Sequence, residues 1–156
     1  MVNLQELAIG DINFYQFRGG PGKYFGHFSP TLRSITLSWP RGTRRQLLDF
    51  LTLFPKLENI KVSHYHGRPP AHEEPSTRRN AIRGGLRGQL VLTNFGASVG
   101  LFEDIIVAFG GMRFSSVELE YVPGMQLLLE ACANTLQTLR WYPDGAFQNY
   151  KIDPVL

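Results

Sequence analysis

Leu32-Arg-Ser-Ile35-Thr-Leu37 is followed, 25 residues on, by Leu57-Glu-Asn-Ile60-Lys-Val62. The same phrase, apolar at its first, fourth and sixth positions, stands earlier as Leu4-Gln-Glu-Leu7-Ala-Ile9. It returns as Phe114-Ser-Ser-Val117-Glu-Leu119 and Leu136-Gln-Thr-Leu139-Arg-Trp141. A degenerate copy has Arg87 in the first position and ends Leu90-Val-Leu92. The phrases begin at residues 4, 32, 57, 87, 114 and 136, so the period runs from 22 to 30 residues. Alternation over so short a stretch predicts a strand with one buried face.

A strand phrase that returns every ~20–29 residues is the pattern of a leucine-rich repeat, in which each unit is a strand and a return segment stacked on its neighbours. The return segments read as helices. Thr43-Arg-Arg-Gln46 is a capping box, after which Leu47, Leu48, Leu51 and Phe54 share one face and Pro55 stops the helix. A second helix runs from Ser98 through Phe109, with Glu103 and Asp104 near its positive end and Gly110-Gly111 closing it. Pro123-Gly124 opens a third, carrying Leu127, Leu128, Ala131 and Cys132. The expected fold is α/β: a leucine-rich-repeat-like solenoid forming one domain over residues 1–156, with a curved parallel sheet of about six strands and helices on its convex side.

Three features depart from a regular array. The ninth position of each unit, where asparagine or cysteine would satisfy turn backbone, holds Ile12, Pro40, Tyr65, Phe95, Val122 and Asp144. The turns must therefore be held differently. Arg18 to Pro30 is a glycine-rich loop, and Ser63 to Gly85 a long polar one with Pro69-Pro70, Glu73-Glu74 and Arg78-Arg79. Finally, neither end carries an obvious polar cap, which predicts a fragment of a longer solenoid, a truncated product, or a chain that pairs through its ends.

Composition narrows the class. Hydrophobic residues at 43% and charged residues at 19% over 156 positions describe a globular chain with a core, not a disordered one. Sixteen basic against 13 acidic residues leave a net charge of +3, too mild to argue for nucleic acid by itself. Cys132 is the only cysteine, so no intrachain disulfide can form. No signal-peptide pattern opens the chain and no apolar run reaches membrane length, so an intracellular location, cytoplasmic or nuclear, is expected.

With positions 1, 4 and 6 inward, positions 3, 5 and 7 form the other face. The third-position row is Glu6, Ser34, Asn59, Gln89, Ser116, Thr138; the fifth is Ala8, Thr36, Lys61, Val91, Glu118, Arg140. The seventh is Gly10, Ser38, Ser63, Thr93, Glu120, Tyr142. Most of these side chains are small and polar. Glu118 and Arg140 should be lateral partners. The candidate protein-binding surface is Asn59, Lys61, Glu118, Glu120, Arg140 and Tyr142, with Arg140 and Tyr142 as the anchor types that interfaces favour.

Other chemistries fit less well. Glu118 and Glu120 are two carboxylates on one side of a strand, about 7 Å apart, yet nothing beside them suggests a sugar cleft. His64-x-His66 with His72-Glu-Glu74 supplies metal-ligand types at a spacing that fits no zinc motif. Gly19-Gly-Pro-Gly-Lys23 fails as a phosphate loop, because Phe17 and Tyr24 stand where the motif needs glycine and a hydroxyl. Cys132, among leucines, reads as core. No catalytic residue, metal, cofactor or small-molecule substrate is expected.

The stretch from Leu32 to Tyr142 resembles fungal F-box proteins with degenerate leucine-rich repeats. The resemblance lies in Leu47-Leu-Asp-Phe-Leu-Thr-Leu-Phe-Pro-Lys-Leu-Glu-Asn59, Leu86-Arg-Gly-Gln-Leu-Val-Leu92 and Leu127-Leu-Leu-Glu-Ala-Cys-Ala-Asn-Thr-Leu-Gln-Thr-Leu-Arg-Trp-Tyr-Pro143. It implies repeats that present substrates to a ubiquitin ligase; no segment here resembles the F-box itself. A non-enzymatic protein-binding module is therefore expected. The alternative is a nucleic-acid-binding module, using Phe14-Tyr-Gln-Phe-Arg18, Tyr24-Phe-Gly-His-Phe28 and the arginines at 78, 79, 83 and 87.

Overall fold

Every phrase forms a strand: β1 Glu6–Gly10, β2 Ser34–Ser38, β3 Asn59–Ser63, β4 Leu86–Thr93, β5 Met112–Glu120 and β6 Thr138–Tyr142. The computed structural model describes residues 3–67, 85–96, 100–120 and 122–143. All six strands are parallel and lie in chain order in one sheet. Their register follows the phrase alignment: Glu6, Ser34, Asn59, Gln89, Ser116 and Thr138 are successive neighbours, as are Ala8, Thr36, Lys61, Val91, Glu118 and Arg140.

Sheets of this kind are normally covered on both faces. Here burial alternates instead. Ile35 and Leu37 are fully buried while Ser34, Thr36 and Ser38 are not, and Val117 and Leu119 repeat the pattern on β5. The inward residues join one hydrophobic core with Leu47, Phe50, Phe102, Phe109 and Leu128 from the return segments. The other face is left open by the described residues. On the edge strands β1 and β6, Leu7, Ile9 and Leu139 are only partly buried, since each has a neighbour on one side only.

The degenerate phrase shows how a misfit is absorbed. Arg87, read as the first inward position, is exposed, and Leu86 is buried in its place. The ladder between β4 and β5 shifts between Gly88 and Gln89. Gly88 makes the shift possible with a φ of 82°. A Cβ there would lie 2.4 Å from the Glu58 carbonyl oxygen and 2.9 Å from Asn59 Oδ1, so only glycine fits.

Among the described residues four helices return the chain: α1 Gly22–Phe25, α2 Arg44–Leu51, α3 Leu101–Phe109 and α4 Met125–Cys132. At α2 the capping box forms, Gln46 N–H donating to Thr43 Oγ1 at 3.2 Å and Thr43 N–H to Gln46 Oε1 at 2.9 Å. This helix ends at Leu51, ahead of Pro55, and Phe54 is buried from the turn that follows. For α3 the described helix starts at Leu101 behind a left-handed Gly100; Ser98 lies outside the described residues. On α4, Leu128 and Cys132 face the core, whereas Ala131 is exposed. Arg44 and Asp104 tie α2 to α3 at 2.8 Å.

The glycine-rich loop is not bare. It contains α1, and its rings pack: Phe25 and Phe14 lie 5.2 and 5.3 Å from Phe50, and Phe17 lies 5.7 Å from Phe25.

The missing asparagine ladder has two replacements. Ninth-position Ile12, Pro40, Tyr65, Phe95 and Val122 are all buried, so apolar packing fills the turn; Asp144 lies outside the described residues. Tyr65 and Phe95 are 4.8 Å apart, and Tyr65 donates to the Gly42 carbonyl at 3.3 Å. One position earlier, Asp11, Trp39, His64 and Asn94 all take left-handed backbone, with φ of 55°, 56°, 57° and 47°. Three of their N–H groups continue the ladder, Asp11 to Ser38, Trp39 to Ser63 and His64 to Thr93, at 2.7, 3.0 and 3.0 Å.

Candidate functional site

Because strand side chains alternate and neighbouring strands keep register, the third, fifth and seventh positions build continuous rows across the open face. A shallow concavity of about 540 Å³ lies on it, running from Ser34 and Thr36 on β2 to Glu118 on β5. Hydroxyls and amides line most of it. Val91, nearly buried, gives the floor an apolar patch between Lys61 and Glu118. At the carboxyl end Ser63 Oγ lies 3.2 Å from Ser38 Oγ, and His64 closes that side.

The six residues expected to form the surface divide. Asn59, Lys61 and Glu118 line the concavity; Glu120, Arg140 and Tyr142 stand beside it on the same face. Asn59 is also structural, since its Oδ1 accepts from the Gln89 N–H at 3.1 Å next to the bulge. Arg140 and Glu118 are lateral neighbours, as expected, with 3.5 Å between Nη1 and Oε2. Such an exposed pair contributes about 0–1 kcal/mol, but it neutralises the nearest carboxylate. Lys61 is exposed and makes no ion pair among the described residues. It is the cationic point of the concavity.

Trp39 and His64 were not among the expected residues, because the strand phrase was followed only to its seventh position on this face. Their rings stack with centroids 4.2 Å apart and 14° between planes. Trp39 keeps 53% of its surface exposed, so one indole face is covered and the other is free. His64 Nδ1 is shielded and has no hydrogen-bond partner among the described residues. The eighth-position column was visible in the sequence. Asp11 and Asn94 are residues at home in left-handed backbone, and Trp39 and His64 stand in line with them.

The remaining motifs divide as well. Of the histidine cluster, His64 is occupied by its stack, His66 is exposed, and residues 72–74 lie outside the described set. No group of three or more metal-binding side chains converges among the described residues. Of the aromatic platform, Phe14, Phe17 and Phe25 serve the helical layer, while Tyr15 and Tyr24 are exposed; the arginines at 78, 79 and 83 lie outside the described residues. Cys132 is fully buried, and burial pushes its thiol above the ordinary range. No described helix is long and apolar enough to cross a membrane. Compared with models of protein families, with curated proteins and with solved structures, the chain matches none.

Proposed function

We propose that the chain is a leucine-rich-repeat-like solenoid whose open face binds a protein partner. The observation that carries this is a parallel sheet that keeps the phrase register, apart from one shift between β4 and β5, with one face left uncovered by the described residues. Period, register and the alternating burial support the repeat architecture. A face lined by short polar side chains and ringed by Trp39, Arg140 and Tyr142 has the layout of a polar interface with aromatic and arginine anchors. No catalytic constellation is needed for such a role. The resemblance to F-box repeats makes the substrate of a ubiquitin ligase the first class of partner to test.

The test is capture of a partner by the purified chain and by Arg140→Ala and Tyr142→Ala variants. Weakened capture by either supports the proposal, and equal capture by all three counts against it. A second reading, nucleic-acid binding, is favoured by one observation: Tyr15 and Tyr24 are exposed near the exposed Arg18 and Lys23. It requires retention on heparin that collapses between low and moderate salt; elution indifferent to salt excludes it.

A further inference from the structure

We infer that the open face anchors an extended, acidic peptide segment of its partner at two points: a carboxylate on Lys61, and an apolar or aromatic side chain on the free face of the Trp39 indole. This rests on the protein-binding proposal above and names the chemistry of the partner.

Charge decides the first point. Among the side chains lining the concavity, Lys61 is the one cation and Glu118 the one anion. Glu118 already has Arg140 at 3.5 Å, whereas Lys61 has no partner among the described residues. Hydroxyls of Thr36 and Ser38 line the same concavity and can donate to the second carboxylate oxygen. An acidic side chain therefore meets complementary charge at Lys61.

Backbone conformation decides the second. Left-handed backbone is unfavourable for a bulky side chain, and asparagine occupies it at lower cost, as Asn94 does. At Trp39 the fold accepts that cost for an indole it only half buries. Strained residues of this kind gather at functional sites, and tryptophan is the side chain most enriched among interface hot spots. The His64 stack holds the ring in one orientation before any partner arrives.

Spacing links the two points. Lys61 is the lateral neighbour of Thr36, and Trp39 follows Thr36 by three positions. At ~3.3 Å per residue and ~4.8 Å between strands, the two anchors are about 11 Å apart, so the acidic and ring-bearing residues of an extended segment, which must share one face of it, stand about four positions apart. A volume of about 540 Å³ is that of a cleft for a short segment, not a seat for a domain.

The experiment is an array of short immobilised peptides on a glycine–serine background. Asp or Glu, Lys or Arg, and Pro, Phe or Leu occupy every pair of positions. It is probed with the full chain and with Lys61→Glu and Trp39→Asn, each checked for folding by circular dichroism. The expected result is retention of peptides carrying an acid and an apolar residue about four positions apart. Lys61→Glu should shift that preference to basic peptides, and Trp39→Asn should abolish the apolar requirement with a melting temperature little changed. Retention without acidic preference, or a preference unchanged in Lys61→Glu, overturns the inference. If no peptide is retained while partner capture still depends on Arg140, the inference falls and the protein-binding proposal stands. If capture is also indifferent to Arg140 and Tyr142, both fall.

Discussion

The indole of Trp39 lies parallel to the imidazole of His64, 4.2 Å away and tilted by 14°, and both residues sit in left-handed backbone at the turn that ends their strands. A turn of the same conformation is made elsewhere by Asp11 and Asn94, so nothing in the turn itself calls for a large ring. The stack belongs to the surface, and its removal should cost the fold little.

Replacing Trp39 with asparagine measures this. Relief of left-handed strain is worth ~1–2 kcal/mol, and loss of the stack costs about 0.5–1.5 kcal/mol. Unfolding free energy in urea should therefore fall by no more than about 0.5 kcal/mol and rise by no more than about 1.5 kcal/mol. A loss above about 3 kcal/mol, the cost of truncating a core aromatic, would show that the indole is structural.

The register shift between β4 and β5, where Ser115 is the extra residue opposite Gly88 and Gln89, makes the opposite prediction. Gly88→Ala combines a φ of 82° with a Cβ only 2.4 Å from the Glu58 carbonyl oxygen, and should destabilise by at least ~1–2 kcal/mol. Gly10→Ala, where the added Cβ meets nothing within 4 Å, should stay within about 0.5 kcal/mol of wild type. Equal denaturation midpoints for the two variants would refute the assigned bulge.

Tyr65 ties stability to alkaline pH. Burial pushes its phenol from 10.0 up to about 12. The folded state thus keeps a proton that the unfolded chain gives up near pH 10. The resulting stability is complete below pH 10 and is lost as pH rises through 12. Tyr65→Phe should lose about 0.5–1.5 kcal/mol at neutral pH with its hydrogen bond to Gly42. Its melting temperature should then fall less steeply than wild type between pH 10 and 12. Parallel curves would contradict the burial.

Much of this arrangement was legible in the sequence, for a physical reason. In a parallel sheet laid down in chain order, residues at equal phrase positions become lateral neighbours, so aligning the phrases aligned Ser34 with Asn59 and Glu118 with Arg140. What escaped were places where backbone departs from the regular period. Leu86 replaced Arg87 in the core because Gly88 turns the chain through a bulge, and glycine in a strand does not announce its φ. Trp39 was missed because a strand-periodic view ends where the strand does. An aligned eighth position holding Asp11 and Asn94 marks left-handed backbone, and a tryptophan in that column is out of place for folding alone.

Cys132 offers a check on the helical layer. Its fully buried thiol, held above the ordinary range by that burial, should react with a thiol reagent at neutral pH only as fast as the chain opens. Rapid labelling of the native protein, at the rate of a free cysteine, would show that α4 does not pack on the sheet as described.

The central claim, that the open face is where a protein partner binds, is tested most directly by photo-crosslinking from two positions in cell extract. Thr36 lies in the concavity, and Val107 is 68% exposed on α3, on the helical layer. A photoreactive residue at position 36 should yield a discrete protein adduct, and one at position 107 should yield none. Adducts of equal abundance from both positions, or from position 107 alone, would contradict the account.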